Sequence, residues 1–134
     1  MKHRTYNKRH MKKPNKKENF HSILKKKADE YAFTVYIASK KFPKEEQYGI
    51  TSQLRRSALS VVLNYIEGYA RVGDKQFKNF LQIAYGTLKE SKYLLFFVRR
   101  EKFINEKEYN TLINLAEEIG AMLWTTINGL RQKK

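Results

Sequence analysis

Residues 42–72 read FPKEEQYGITSQLRRSALSVVLNYIEGYARV, and the period of this stretch decides the fold. At about 100° per residue, Leu54, Ala58, Val61, Val62, Tyr65, Tyr69 and Val72 gather on one side of a helix. Leu59, Leu63, Ile66 and Ala70 extend that side well past half the circumference. A helix apolar over so wide an arc is buried on more than one flank, so a partner surface beyond its own chain, most simply a second copy, is expected. Along the same helix Arg56, Ser60, Asn64, Glu67 and Arg71 are spaced four, four, three and four, which places them on one polar line. Thr51 is the expected N-cap, with Gly49 loosening the backbone ahead of it. Pro43 closes the preceding helix and can start a single turn carrying Glu45 and Glu46.

Working outward, Leu24, Ala28, Tyr31, Val35 and Ala38 follow steps of three and four and mark a first helix, with Ser22 as its cap. After the break at Gly73, Asp74 is the expected cap of a third helix with the face Phe77, Phe80, Leu81, Ala84, Leu88, Ser91 and Leu95. On its opposite side Gly86, Tyr93 and Phe97 line up, and a mid-helix glycine points to the close approach of another backbone. Asn105 and Glu108 form an N-x-x-E box opening a fourth helix with the face Leu112, Ala116, Ile119, Leu123, Ile127 and Leu130. The expected helices cover about 22–41, 52–72, 75–100 and 106–131, within one domain over 22–134. Joined by short links, they predict an all-α, antiparallel up-and-down four-helix bundle.

The 134-residue chain carries a formal net charge of +15, which argues for an anionic partner, nucleic acid before an anionic membrane surface. Residues 1–27 hold eleven Lys or Arg against Glu18, a net +10, leaving 17 bases against 12 acids for the rest. Residues 1–21 have no apolar period and read as a disordered basic tail. A binding arm, a solubilising extension and a true start at Met11 all fit that tail. No apolar run reaches the roughly 18 residues of a membrane span. A soluble, cytoplasmic protein with no membrane partner is expected. Without cysteine there is neither a disulfide nor a thiolate metal site, and no metal or cofactor is expected.

The ordered run Phe42-Pro43, Gln53-Leu54-Arg55-Arg56, Ser60, Asn64, Glu67-Gly68-Tyr69-Ala70-Arg71 and Phe80-Leu81-Gln82-Ile83-Ala84-Tyr85-Gly86 resembles the bacterial four-helix-bundle family first named for reading frames inside 23S rRNA intervening sequences. The likeness covers about Leu24 to Arg131. It implies a bundle that assembles into a ring, typically a homopentamer, with no established enzymatic activity. The accessory variability protein of diversity-generating retroelements is distantly similar and implies a basic ring that binds RNA and a reverse transcriptase. Val62 stands where the family commonly has a proline, and Tyr65 and Ile66 replace a smaller pair.

Arg55, Arg56, Arg71, Lys75, Lys78, Arg99 and Arg100 are the candidate nucleic-acid contacts. Ser60, Asn64, Glu67 and Gly68 read instead as a polar network or subunit interface, because a carboxylate in the row repels phosphate. Tyr65, Phe77, Phe80 and Trp124 sit in apolar patterns and read as core rather than base-stacking platforms. His3, His10 and His21 lie in or beside the tail, where no scaffold is expected to hold a catalytic base. The leading expectation is a non-enzymatic, homo-oligomeric bundle binding nucleic acid, RNA before DNA, through a basic surface. The alternatives are an adaptor ring holding a protein such as a reverse transcriptase, and a ribonuclease built on the Arg4 to His10 spacing.

Overall fold

The computed structural model describes residues 19–132. Four helices run α1 (Phe20–Ala38), α2 (Ile50–Tyr69), α3 (Asp74–Arg100) and α4 (Glu106–Gln132), with 3₁₀ turns at Ser39–Lys41 and Lys44–Glu46. Each packs against its two sequence neighbours round the bundle, α1 closing on α4, and the α2–α3 contact is the most extensive. The architecture is the antiparallel four-helix bundle that the periodicity predicts. Among the described residues no helix is long and apolar enough to cross a membrane.

Most positions of the predicted faces form the core, although Tyr69 of α2 is half exposed and Phe80 of α3 only half-buried. Leu24, Tyr31, Val35, Leu54, Val61, Leu81, Leu88, Leu95, Leu112, Ile119 and Leu123 are fully buried. Inside this core one polar bridge crosses the bundle diagonal: Tyr31 of α1 meets Ser91 of α3, Oη to Oγ, at 2.7 Å. Ser91 spends its proton on the Leu88 carbonyl at 3.0 Å, so the Tyr31 hydroxyl donates to Ser91. Burial pushes the Tyr31 hydroxyl up to about 12, against the opposing effect of the Ser91 bond.

The helix ends depart from expectation in instructive ways. The expected tail over 1–21 lies outside the described residues through residue 18, and its last three residues belong to the bundle. Asn19, not Ser22, caps α1, its side chain accepting from the Ser22 N–H at 2.7 Å. At the far end the α-helix stops at Ala38 and tightens into a 3₁₀ turn, because Phe42 must be extended ahead of Pro43. Thr51 is not the cap of α2 either. The helix begins one residue earlier, so Thr51 turns inward and its buried Oγ1 has no hydrogen-bond partner. Nor does Val72 join the apolar side of α2. The helix ends at Tyr69 in a tightened turn, Arg71 N–H to Gly68 carbonyl at 3.0 Å, and Val72 is 93% exposed.

Gly73, at φ 106, turns the chain into α3, so Asp74 is the first helical residue rather than its cap. The Asn105–Glu108 box forms as predicted, with both backbone N–H groups donating to the opposite side chain, at 2.7 and 2.8 Å. Between α3 and α4 the Phe103 N–H reaches the Val98 carbonyl and the Lys102 N–H reaches the Arg99 carbonyl. This is a Schellman closure in which Lys102, at φ 66, occupies the left-handed position usually given to glycine.

Candidate nucleic-acid interface

The up-and-down topology sorts the candidate contacts to opposite ends. Arg55, Arg56, Arg99 and Arg100 lie where α1 and α3 finish and α2 and α4 begin, whereas Arg71, Lys75 and Lys78 lie where α2 finishes and α3 begins. Fifteen residues from Arg56 to Arg71 correspond to about 20 Å of helix axis, so these are two clusters rather than one patch.

At the first end the four arginines differ in how they are held. Arg99 is committed inside the chain: Nε and Nη2 donate to the two carboxylate oxygens of Glu106, both at 3.0 Å, and its guanidinium lies 4.4 Å from the Tyr109 ring centroid. Its bond to Glu106 raises the pKa of Arg99, and the same bond lowers that of Glu106. Lys41 likewise pairs with Glu108. Burial works to raise the Glu108 carboxyl, but the Lys41 ammonium and the Asn105 N–H together hold it below its usual value.

Arg55 is braced differently. Its Nε donates to Ser39 Oγ at 2.7 Å, Ser39 in turn donates to the Tyr36 carbonyl, and the guanidinium lies 4.5 Å from the Tyr36 ring centroid. Arg100 lies over Phe96 and Phe97 at 5.3 and 5.4 Å. Arg55, Arg56 and Arg100 form no ion pair among the described residues. At the other end Arg71 pairs with Glu67 and leans on the Phe80 ring at 5.1 Å, while Lys75 is exposed.

The polar line along α2 separates into local pieces. Asn64 Nδ2 donates to both the carbonyl and the hydroxyl of Ser60 at 2.9 Å, Glu67 pairs with Arg71, and Arg56 stands apart. The α2–α3 seam runs past Gly68, and Arg71 at the end of the line still reaches Phe80 across it. A Cβ on Gly68 would sit 2.6 Å from Phe80 Cβ, so Gly68 is enclosed within the chain and does not belong to an outer face. Gly86 is the reverse: nothing among the described residues lies within 4 Å of its Cβ position.

Sequence reasoning missed two groups. His21 is held in place rather than loose in a tail: it bonds Tyr65 Oη through Nδ1 at 2.6 Å and stacks on Tyr69 with centroids 3.5 Å apart. Burial and then the neighbouring Lys25 lower its pKa, and burial pushes Tyr65 up to about 12 with Tyr69 adding to it. Tyr65 and Tyr69 at i, i+4 were the available signal. The second group is Phe33, Tyr36 and Tyr48, beside Arg55. Phe33 was legible as an aromatic on the solvent side of α1, opposite Leu24 and Tyr31. Trp124, read as core, is half exposed and tilts against Tyr85 at 5.6 Å. Among the described residues no group of three or more metal-ligating side chains is present.

The fold and its ends define a class: an antiparallel helical bundle with arginines at one end that no acid among the described residues pairs, and apolar residues left on its outside. The family model for the 23S rRNA-intervening sequence protein matches residues 21–125, and the chain belongs to that family. A solved structure from Bacteroides thetaiotaomicron, described as a protein with unknown function from the S23 ribosomal protein family, is similar at 25% identity with a TM-score of 0.76. The likeness covers 82% of this chain and 99% of that one. No curated protein matches.

Proposed function

We propose that this chain is a non-enzymatic, homo-oligomeric bundle that binds nucleic acid, RNA before DNA, through its arginine-bearing end. The observation that carries this reading is that Arg55, Arg56 and Arg100 pair with no acid among the described residues while Arg99 and Lys41 beside them are neutralised. Guanidinium groups braced on rings and hydroxyls lose less freedom when they clasp a phosphate. The family's name refers to 23S rRNA, which supports RNA. Contacts of this type follow the backbone and tolerate sequence.

Assembly is supported by what α2 and α3 leave outside. Leu59, Leu63 and Ile66 form an exposed apolar row on α2, and Ile83, open Gly86 and Tyr93 form another on α3. Two different faces suit a head-to-tail ring, and family likeness suggests five subunits. Light scattering in solution should give a multiple of 16.0 kDa, and a mass of 16.0 kDa itself contradicts the ring. The same apolar rows would serve an adaptor for a protein partner such as a reverse transcriptase. Co-purification of such a partner that survives nuclease treatment, with no RNA affinity, would favour that reading.

The binding reading is tested by filter binding of Arg56→Gln/Arg100→Gln against Lys75→Gln/Lys78→Gln. Loss of two single-strand phosphate contacts should flatten the log–log salt dependence by about 1.4 in the first double variant. The second should change it less. Equal effects of both doubles, or none from the first, would refute the assignment to this end.

A further inference from the structure

We infer that the groove between α1 and α2 at the arginine-bearing end takes unpaired bases of a single-stranded nucleic acid. This rests on the nucleic-acid reading and adds to it a preference for strands with free bases. The groove, about 660 Å³, is lined by Asp29, Phe33, Tyr36, Tyr48, Arg55 and Arg56, and borders the outer α2 row at Leu59. That volume lies within the range of about 300–1,000 Å³ in which ligand-sized groups are held.

Three features point to a base rather than an apolar side chain. Phe33 and Tyr48 are 62% and 91% exposed although the bundle already has a complete core, so neither ring is needed for folding. Aromatic faces beside cationic groups are the arrangement by which single strands are held without regard to sequence: rings stack bases while cations follow the phosphates. Arg55 is fixed before any ligand arrives. Its Nε is bonded to buried Ser39 and its plane is set by Tyr36, which leaves the two terminal nitrogens without a hydrogen-bond partner among the described residues.

Charge decides between occupants. Arg55 and Arg56 line the groove and Lys40 lies 5.3 Å from the Tyr36 ring centroid, against the single carboxylate of Asp29. The basic residues before Asn19 are of the same sign as Arg55 and Arg56, which disfavours the chain's own N-terminal segment as the occupant. A polyanion with flat apolar faces satisfies both halves of the lining.

The test uses the full chain at low salt and three labelled ligands: a ten-nucleotide RNA strand, an abasic strand with the same phosphates, and a short RNA duplex. Fluorescence anisotropy should give the strand with bases at least about tenfold higher affinity than the abasic strand. Phe33→Ala and Tyr48→Ala should each remove most of that margin and leave abasic binding and melting temperature unchanged. If base-bearing and abasic strands bind equally, or the two variants keep the margin, the groove assignment fails while the nucleic-acid reading stands. If no ligand binds at low salt, both fail. A fall in particle mass in Phe33→Ala or Tyr48→Ala would overturn the proposal in favour of a second copy on this surface.

Discussion

Gly68→Ala offers the sharpest stability test of the packing described. The added Cβ would lie 2.6 Å from Phe80 Cβ, 3.2 Å from Phe77 Cδ1 and 3.4 Å from the Phe77 carbonyl oxygen. Carbon atoms in good contact sit about 3.5–4.0 Å apart, so the overlap with Phe80 is about 1 Å. Phe80 Cβ is one bond from the backbone, so a rotamer change cannot relieve it and α2 must move away from α3. Overpacking of this kind costs about 1–3 kcal/mol, and the higher helix propensity of alanine returns about 1 kcal/mol. A net loss of up to about 2 kcal/mol should lower the melting temperature by up to about 8 °C in a domain of this size.

Gly129→Ala is the control, because nothing among the described residues lies within 4 Å of its Cβ position in α4. It should be neutral or raise stability by up to about 1 kcal/mol. Urea and thermal melts followed by circular dichroism, at one protein concentration, measure both. Gly68→Ala melting above wild type, as Gly129→Ala is expected to, would refute the close α2–α3 approach.

The diagonal bridge predicts an asymmetry: Ser91→Ala strands the buried Tyr31 hydroxyl and should cost about 1–3 kcal/mol, whereas Tyr31→Phe leaves Ser91 on the Leu88 carbonyl and should cost about 1 kcal/mol. Equal losses in urea melts would contradict the assigned donor. His21 has a folded pKa below its ordinary 6.5, so the unfolded chain takes up its proton more readily. Its contribution is therefore present above pH 6.5 and lost as pH falls toward the lowered folded value. The drop in urea midpoint from pH 7.5 to pH 5.5 should shrink in His21→Gln, and an unchanged drop would place the titration elsewhere. Lys102→Gly should raise stability by about 1 kcal/mol by relieving the left-handed backbone at φ 66. A lower melting point would mean that the lysine side chain does more for the turn than its backbone costs.

Much of the bundle was legible because helical period and turn chemistry are local. Leu24, Ala28, Tyr31 and Val35 mark the buried side of α1 without reference to any other helix, and Asn105 with Glu108 announces its own hydrogen bonds. What could not be read depends on contacts distant in the chain. His21 meets Tyr65 across 44 positions, and nothing near His21 says that a ring waits for it. Gly68 and Gly86 look alike as glycines within a helical period, yet a Cβ on the first would meet Phe80 and one on the second would meet nothing among the described residues, because only the bundle geometry says which side faces a neighbouring helix. The capping errors at Ser22, Thr51 and Asp74 are shifts of one to three residues, the usual cost of choosing between neighbouring polar residues. Charge was legible as a total, but its division between neutralised Arg99 and open Arg56 rests on where Glu106 falls across the α3–α4 turn.

On the function proposed, the bundle grips the phosphates of RNA with arginines that no acid among the described residues pairs. Filter binding of a single-stranded RNA at a series of salt concentrations from about 50 to 300 mM tests it most directly. With Arg55, Arg56 and Arg100 each displacing counterions from a single strand, the plot of log affinity against log salt should fall with a slope of about −2 or steeper. An affinity that does not change across the series, or no binding even at the lowest salt, would contradict the account.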